Sequence, residues 1–318
     1  MRLVIATEAQ KAARDVDTYP AWGKLLTPEK YLERELRLRA HPWARSVLKT
    51  WLLCAEDGAV LASCESYRMD SFLRGPDGAP SPGDSFGIAS VFTEERLRGR
   101  GYATRLMDLV AAELERASPR VHSALLFSDV GAPLYRRSGY QETEAWDWCF
   151  TPEPGEPAAR VDRLLSEREV GAGLARMRRP EAPFFYWPTA EQVDWHIERE
   201  RIYTELLSRP RPEAQGATVG ESTALWYMTA RSSALTMVMF DARTAEDAAA
   251  LLGAARRVAH RAGLAQVVLW EEPALAPLLA RVPGAARVAR EDSLPMLRPL
   301  RPGGVPTSGM PIPRALWV

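Results

Sequence analysis

Along the first 150 residues the apolar positions switch between a period of two and a period near 3.6, and each switch marks an element. LVIAT, from Leu3, predicts a strand. A polar connection carrying Tyr19, Pro20 and Trp22 follows. TPEKYLERELRLRA then predicts a helix, with Thr27 as N-cap, Pro28 at the first helical position and Glu29 and Glu33 early in its length. SVLKTWLLCAEDGAVLASCESYRM predicts two strands about a tight turn at Asp57-Gly58. LRGPDGAPSPGDS consists of turn formers and predicts a loop, after which FGIASVF predicts a strand. In TEERLRGRGYATRLMDLVAAELERA, Leu106, Leu109, Val110 and Leu114 recur at helical spacing, and the helix should stop before Pro119. HSALLFSDV predicts a strand, APLYRRSGY a short helix closed by Gly139, and EAWDWCF a further strand. The order predicts an α/β fold, a mixed sheet with helices on both faces.

TPEPGEPAAR, from Thr151, is proline-rich and divides the chain into a domain at 1–150 and a second at 151–318. In the second, PTAEQVDWHIERERIYTELL predicts a helix. Thr189 and Gln192 stand at capping-box spacing, and Val193, Ile197 and Leu207 supply part of an apolar face. ALWYMTA and ALTMVMF predict paired strands, AEDAAALLGAARRVAHRAG a helix ending in glycine, and AQVVLW another strand. This strand-strand-helix-strand-helix order echoes the first half after its hairpin, and predicts an α+β domain that is a degenerate copy without a glycine loop. Trp187, Trp195, Trp226 and Trp270 are expected in its core or on the face between the halves. The tail is proline-rich but finishes in Leu316, Trp317 and Val318, which predicts a packed end.

Composition narrows the class of function. The 41 basic and 41 acidic side chains cancel, so no global field draws the chain to nucleic acid or an anionic membrane. No apolar run approaches the length of a membrane span and the N-terminal stretch is too short for a signal-peptide core, so the expected location is cytoplasmic. Cys54, Cys64 and Cys149 are widely spaced and read as reduced, mostly buried thiols; no local pattern marks Cys64 as a nucleophile. His196 and Glu200, one turn apart, read as a surface pair rather than metal ligands, and no metal is expected.

An anion site must therefore be local, and RLRGRG supplies it. A helix N-terminus offers unpaired N–H groups and about half a positive charge. Gly99 and Gly101 remove the Cβ atoms that would obstruct a phosphate, and Arg96, Arg98 and Arg100 add charge-assisted bonds. A Walker A loop is excluded, because Gly101 is followed by Tyr102 and Ala103 rather than lysine and a hydroxyl residue. A dinucleotide fingerprint is excluded too, because TEERLR intervenes between strand and loop and Thr104 takes the place of the third small residue.

The arrangement Arg-x-x-Gly-x-Gly at Arg96, Gly99 and Gly101, with Ala103 two residues on, resembles the GNAT superfamily of acyl-CoA N-acyltransferases. SDVGAPLYRRSGY strengthens the resemblance through Tyr135, Gly139 and Tyr140, although Ser128-Asp129 stands where asparagine is common. WGKLLTPEKYLERE, ASCESYR, SVFTEERLRGRGYATRLM, LLFSDVGAPLYRRSGY and WPTAEQVDWHIER are further similar to the fungal lysine N6-acetyltransferases, which also carry a C-terminal domain.

The resemblance implies acetyl-CoA as co-substrate and a small amine, L-lysine in that family, as acceptor. Val91, Phe92 and Thr93 would contact CoA through the backbone. Arg96, Arg98, Gly99, Arg100, Gly101, Tyr102, Ala103 and Thr104 would hold its pyrophosphate, and Tyr135 would protonate the leaving thiolate. Direct attack needs no protein nucleophile, but it needs a base. Glu65, Tyr67, Asp84 and Asp129 are candidates, Glu65 foremost. Some two-domain relatives use a terminal carboxylate instead, a role open to Val318. The competing classes are a GNAT on another small amine or a protein lysine, and a non-catalytic acyl-CoA-binding module.

Overall fold

The structure, a computed structural model, describes residues 1–155, 160–301 and 305–318. Residues 156–159 of the proline-rich linker and 302–304 of the tail lie outside the described residues. The first half runs β1 (Arg2–Ile5), α1 (Glu8–Trp22), α2 (Pro28–Ala40), α3 (Pro42–Val47), β2 (Leu48–Cys54), β3 (Val60–Arg74), β4 (Pro80–Phe92), α4 (Tyr102–Ala117), β5 (Val121–Ser128), α5 (Pro133–Arg136), β6 (Gln141–Glu142) and β7 (Trp146–Phe150). The second runs β8 (Arg163–Leu165), α6 (Val170–Arg176), β9 (Phe184–Tyr186), α7 (Ala190–Leu206), β10 (Gly216–Val219), β11 (Ser222–Thr229), β12 (Ala234–Asp241), α8 (Ala245–Arg261), β13 (Gln266–Trp270), α9 (Ala276–Leu279), β14 (Ala286–Ala289) and β15 (Leu294–Pro299).

These strands build two mixed sheets. The first has the order β1-β2-β3-β4-β5-β15-β6 with β9 added against β3, and the second the order β14-β7-β13-β12-β11-β10-β8. In the first, β4 and β5 are the parallel pair and α4 crosses between them. In the second, β12 and β13 are parallel and α8 crosses between them. The expected echo is thus visible as geometry: each half contains a hairpin, a crossover helix and a parallel return. Each sheet also holds a strand from the other half. β7 pairs with β13 and β14 in the second sheet, and β15 lies between β5 and β6 in the first.

Three local readings are corrected. The polar connection before Thr27 is the helix α1, whose Thr7 and Gln10 form a capping box. Its buried side chains are Arg14, Asp15 and Thr18, so its inward face is polar and leaves no apolar stripe. HPWARSV forms α3, with Pro42 at its first position. The proline-rich loop is mostly strand: β3 and β4 pair out to Arg74↔Pro80, leaving a turn at 75–79. Pro80 and Pro82 are tolerated because β4 acquires its second neighbour, β5, only from Asp84 onward.

A core beneath α4 contains Leu106, Met107, Val110, Ala111 and Leu114 with Cys64, Phe86, Ile88, Ala124, Leu126 and Tyr135. A larger core joins the opposite face of the first sheet, through Tyr67, Met69, Ala89 and Leu125, to Trp148, Trp195, Trp226 and Trp270's neighbour Leu269 in the second half. The halves are also tied along α2 and α7. Trp195 Nε1 donates to the Leu38 carbonyl (3.3 Å), Lys30 Nζ to the Leu206 carbonyl (2.8 Å), and Arg37 pairs with Glu205 (2.8 Å).

Candidate active site

The site is assembled where β4 and β5 stop pairing. Their last paired residues are Ile88 and Leu126, although β4 continues to Phe92 and β5 to Ser128. The cause lies in β4. Its register against β3 shifts between Glu65↔Ala89 and Ser63↔Phe92, so one extra residue is accommodated and Ser90 takes φ +52°. A bulge of this kind bends its strand and withdraws backbone groups from the ladder. Val91, Phe92 and Thr93 follow the bulge beyond the last pairing with β5, and all three residues are half-buried.

Arg14 of α1 holds the bulge. Its Nη2 donates to the Ser90 carbonyl (2.7 Å), its Nε to Ser63 Oγ (2.9 Å), and its Nη1 to Glu65 Oε1 (3.1 Å). One guanidinium thus bridges the bulged residue and the two residues of β3 that flank the register shift. Sequence reading missed Arg14 because its helix was missed. The available signal was Thr7-Glu8-Ala9-Gln10, the spacing of a capping box.

Beyond Phe92 the chain makes a single 3₁₀ turn at Glu95–Leu97 and enters the glycine loop. Gly99 and Gly101 have φ +77° and +78°, and a Cβ built on either would meet nothing within 4 Å. The space in front of both is open. Gly101 is the N-cap of α4; it offers no side-chain cap, and the first turn carries no acid. The leading N–H groups, those of Tyr102, Ala103 and Thr104, are consequently unsatisfied by the helix itself. Arg96 is exposed and paired with Glu94 (2.5 Å), whose carboxyl that contact holds below the usual range. Arg98 Nε braces the Thr93 carbonyl (3.1 Å), and Arg100 is exposed.

The matching crossover helix of the second half is built otherwise. Thr244 caps α8 by accepting from Asp247 N (3.1 Å), and Glu246 and Asp247 occupy the first turn. Its positive end is already neutralised, whereas that of α4 is open to an external anion.

Tyr135 is brought to the same place by α5, which packs on the first turn of α4 through Ser138 Oγ and the Thr104 carbonyl (3.5 Å). Val91, Tyr102 and Leu134 border the core in which Tyr135 is buried. Burial pushes its phenol up to about 12, so it stays protonated at any working pH. Cys64 lies in the same core, fully buried, with its thiol also pushed up to about 12 by burial. That excludes it as a nucleophile at neutral pH.

The candidate bases part company. Glu65 is 5% exposed; its Oε1 is on Arg14 and its Oε2 accepts from the Tyr67 hydroxyl (3.4 Å). Desolvation holds the Tyr67 phenol well above its ordinary value. Asp84 pairs with Arg68 (3.1 Å) where β4 begins to pair with β5, seven residues and roughly 23 Å of strand from Val91. Asp129 accepts from Ser293 N (2.8 Å).

His196 and Glu200 are not the surface pair expected. His196 is fully buried with Nε2 on the Ala315 carbonyl (2.7 Å), and Glu200 binds Arg199 Nε (3.1 Å) and Ala230 N (3.2 Å). His196 anchors the C-terminal segment, with Gln192 Nε2 donating to the same carbonyl (2.7 Å) instead of closing a capping box. The end of the chain is packed, as expected: Ala315 and Leu316 are buried, and the Val318 side chain lies against Gly87 of β4. An open recess lined by Glu167, Arg168, Asp194, Arg201 and Arg211 takes no residue from β4, α4 or α5. Among the described residues no group of three His, Cys, Asp or Glu side chains is placed to hold a metal ion, and no helix is long and apolar enough to cross a membrane.

Comparison with known proteins gives this geometry a context. Residues 17–140 match the acetyltransferase (GNAT) family, and residues 159–309 match the family described as the LYC1 GNAT-like C-terminal domain. A protein named lysine acetyltransferase from Yarrowia lipolytica is 24% identical, over 79% of this chain and 79% of its own. Among solved structures, a probable N-acyltransferase of Enterococcus faecalis superposes with a TM-score of 0.62 at 16% identity, over 94% of this chain and 72% of that one. A GCN5-related N-acetyltransferase from Anabaena variabilis gives 0.57 at 13% identity, over 94% and 73%.

Proposed function

Because the chain belongs to the GNAT superfamily of acyl-CoA N-acyltransferases, we propose that it moves the acetyl group of acetyl-CoA to the N6-amine of free L-lysine. The observation that carries this reading is the open, uncapped N-terminus of α4 beside the splay of β4 and β5, with Tyr135 buried in the core that Val91 and Tyr102 border. The name of the Yarrowia relative supports lysine as the acceptor.

In this reading the loop from Arg96 to Gly101 and the N–H groups of Tyr102, Ala103 and Thr104 bind the pyrophosphate, with Arg98 and Arg100 adding charge. The backbone of Val91, Phe92 and Thr93 holds the pantetheine arm, and the Val91 N–H donates to the thioester oxygen as it gains negative charge. The amine attacks the thioester carbon directly, and the carbon–sulfur bond breaks. Tyr135 gives its hydroxyl proton to the departing sulfur. Glu65 takes the amine proton by way of the Tyr67 hydroxyl that already donates to it.

The test is CoA release from acetyl-CoA with L-lysine, ornithine, polyamines, aminoglycosides and a lysine-containing peptide side by side, for the unaltered protein and for Tyr135→Phe. The expected result is a preference for free lysine, with kcat lowered about 100-fold or more by the substitution and CoA affinity little changed. Turnover with another amine alone would remove lysine and leave acetyl transfer; no release with any amine would remove both.

A further inference from the structure

Among the described residues, Arg290, which follows β14, and Asp147 of β7, whose side chain is 25% exposed, form a charge pair in the second sheet that does not close to hydrogen-bonding distance. The Arg290 side chain is 5% exposed and stacks over the Trp270 ring, its Cζ 3.8 Å from the centroid. Its Nε and Nη1 are buried and have no hydrogen-bond partner among the described residues. The nearest carboxylate is that of Asp147 on β7, whose Oδ1 stands 4.0 Å from Nε, too far for a hydrogen bond. That oxygen is also buried and also has no partner among the described residues. A guanidinium and a carboxylate free to meet would close to about 2.8 Å. Here they are held apart, a donor and an acceptor side by side with both functions unmet.

Their surroundings point to the acetyl-transfer site. Asp147 lies opposite Trp270 on β13 and Val288 on β14, so the three side chains share one face of the second sheet. Trp270 turns from that face to Phe127 of β5, with ring centroids 5.1 Å apart. Phe127 is the residue after Leu126, where β5 parts from β4. Ala124 and Leu126 point into the core beneath α4, whereas Leu125 and Phe127 point the other way. The pair thus stands behind Phe127, on the face of the splay opposite the glycine-loop helix. A second guanidinium, that of Arg314, lies over Trp270 (4.5 Å) and Trp317 (4.2 Å) and is bound through Nε to the Tyr227 hydroxyl (2.9 Å).

We propose that Arg290 and Asp147 form the head-group subsite of the acceptor, which takes a free α-amino acid with its carboxylate on Arg290 and its α-ammonium on Asp147. The distal amine of that molecule then extends past Phe127 toward β4. The inference rests on the acetyl-transfer reading above and refines its substrate class. A zwitterionic head satisfies both unmet groups at once; a diamine lacks the carboxylate, and a lysine within a peptide lacks both charges. Burial supports the assignment, holding the Asp147 carboxyl up to about 6 and the Arg290 guanidinium down to about 10, as expected when neither group fully compensates the other.

The experiment is calorimetric titration of the full chain, saturated with CoA, with L-lysine, with 1,5-diaminopentane and with Nα-acetyl-L-lysine amide. The unaltered protein should bind L-lysine on the order of 100-fold more tightly than either analogue. Arg290→Gln and Asp147→Asn should each cut that preference at least tenfold, and Arg290→Lys should keep more of it than Arg290→Gln. CoA affinity measured on the same samples shows which variants have folded. Equal affinity for all three ligands in the unaltered protein, which needs no variant, overturns the proposal; so does an undiminished preference in a folded Arg290→Gln. Acetyl transfer to 1,5-diaminopentane as readily as to lysine would leave the transferase reading standing and remove this subsite. Selective lysine binding without turnover would do the reverse.

Discussion

Replacing Gly101 by alanine separates the cost of a backbone conformation from the cost of blocking a ligand. Gly101 sits at φ +78° with nothing within 4 Å of a Cβ built on it. The new methyl group therefore strikes no protein atom, and the penalty on the folded chain is the left-handed conformation alone, about 1–2 kcal/mol. Gly58, in the hairpin between β2 and β3, is a matched control: φ +89°, and again nothing within 4 Å. Gly58→Ala should cost the same 1–2 kcal/mol, a fall in melting temperature of a few degrees for a chain of this size. Only at Gly101 does the methyl group occupy the approach to the first N–H groups of α4. Losing one charge-assisted hydrogen bond there, at about 1.5–3 kcal/mol, weakens CoA binding by about tenfold to somewhat over a hundredfold. Calorimetric titration with CoA, alongside denaturant unfolding of both variants, makes the comparison. If Gly101→Ala and Gly58→Ala lose the same stability and both bind CoA within threefold of the unaltered protein, the glycine loop is not the anion cradle and the reasoning fails.

Two other substitutions test the supports of the site. Arg14→Gln strips the partner from buried Glu65 and the brace from the Ser90 carbonyl, so it should cost about 3–5 kcal/mol in denaturant unfolding, and Arg14→Lys should recover only part of that because lysine cannot span all three contacts. His196 is buried and its imidazole is held well below the ordinary value, first by desolvation and then by nearby Arg199. The unfolded chain takes up a proton below about pH 6.5 while the folded one resists, so stability is full above that pH and falls by about 1.4 kcal/mol per pH unit beneath it. His196→Gln, which keeps a donor for the Ala315 carbonyl, should flatten this acid limb in melting curves between pH 7.5 and 5; an unchanged slope would show that His196 does not cause it.

The local periodicities of this chain determined its crossover helices and their strands, because α4 and α8 each present a continuous apolar stripe and their starts are marked by adjacent residues, Gly101 for α4 and Thr244 for α8. The glycine loop was legible as backbone geometry for the same reason: a left-handed turn at a helix start needs only a few consecutive residues. The placement of Tyr135 on a short helix followed from its local segment. What the sequence could not show is what distant segments do to one another. α1 was invisible to hydrophobic patterning because its buried face consists of Arg14, Asp15 and Thr18, and those side chains are soluble in the core only through partners such as Glu65, Ser63 and Arg39. The bulge at Ser90 arises from the pairing of β4 with β3 and from one arginine 76 residues away in sequence. β7 read as an ordinary strand and β15 was not read as a strand at all, and only the tertiary structure decided that each would complete the sheet of the other half. Arg290 and Asp147 are 143 positions apart in sequence, and they meet only because β7 of the first half joins β14 in the second sheet, which brings them to 4.0 Å without a hydrogen bond. Hydrophobic period and capping are properties of neighbours along the chain, whereas a site made of charges must be read from neighbours in space.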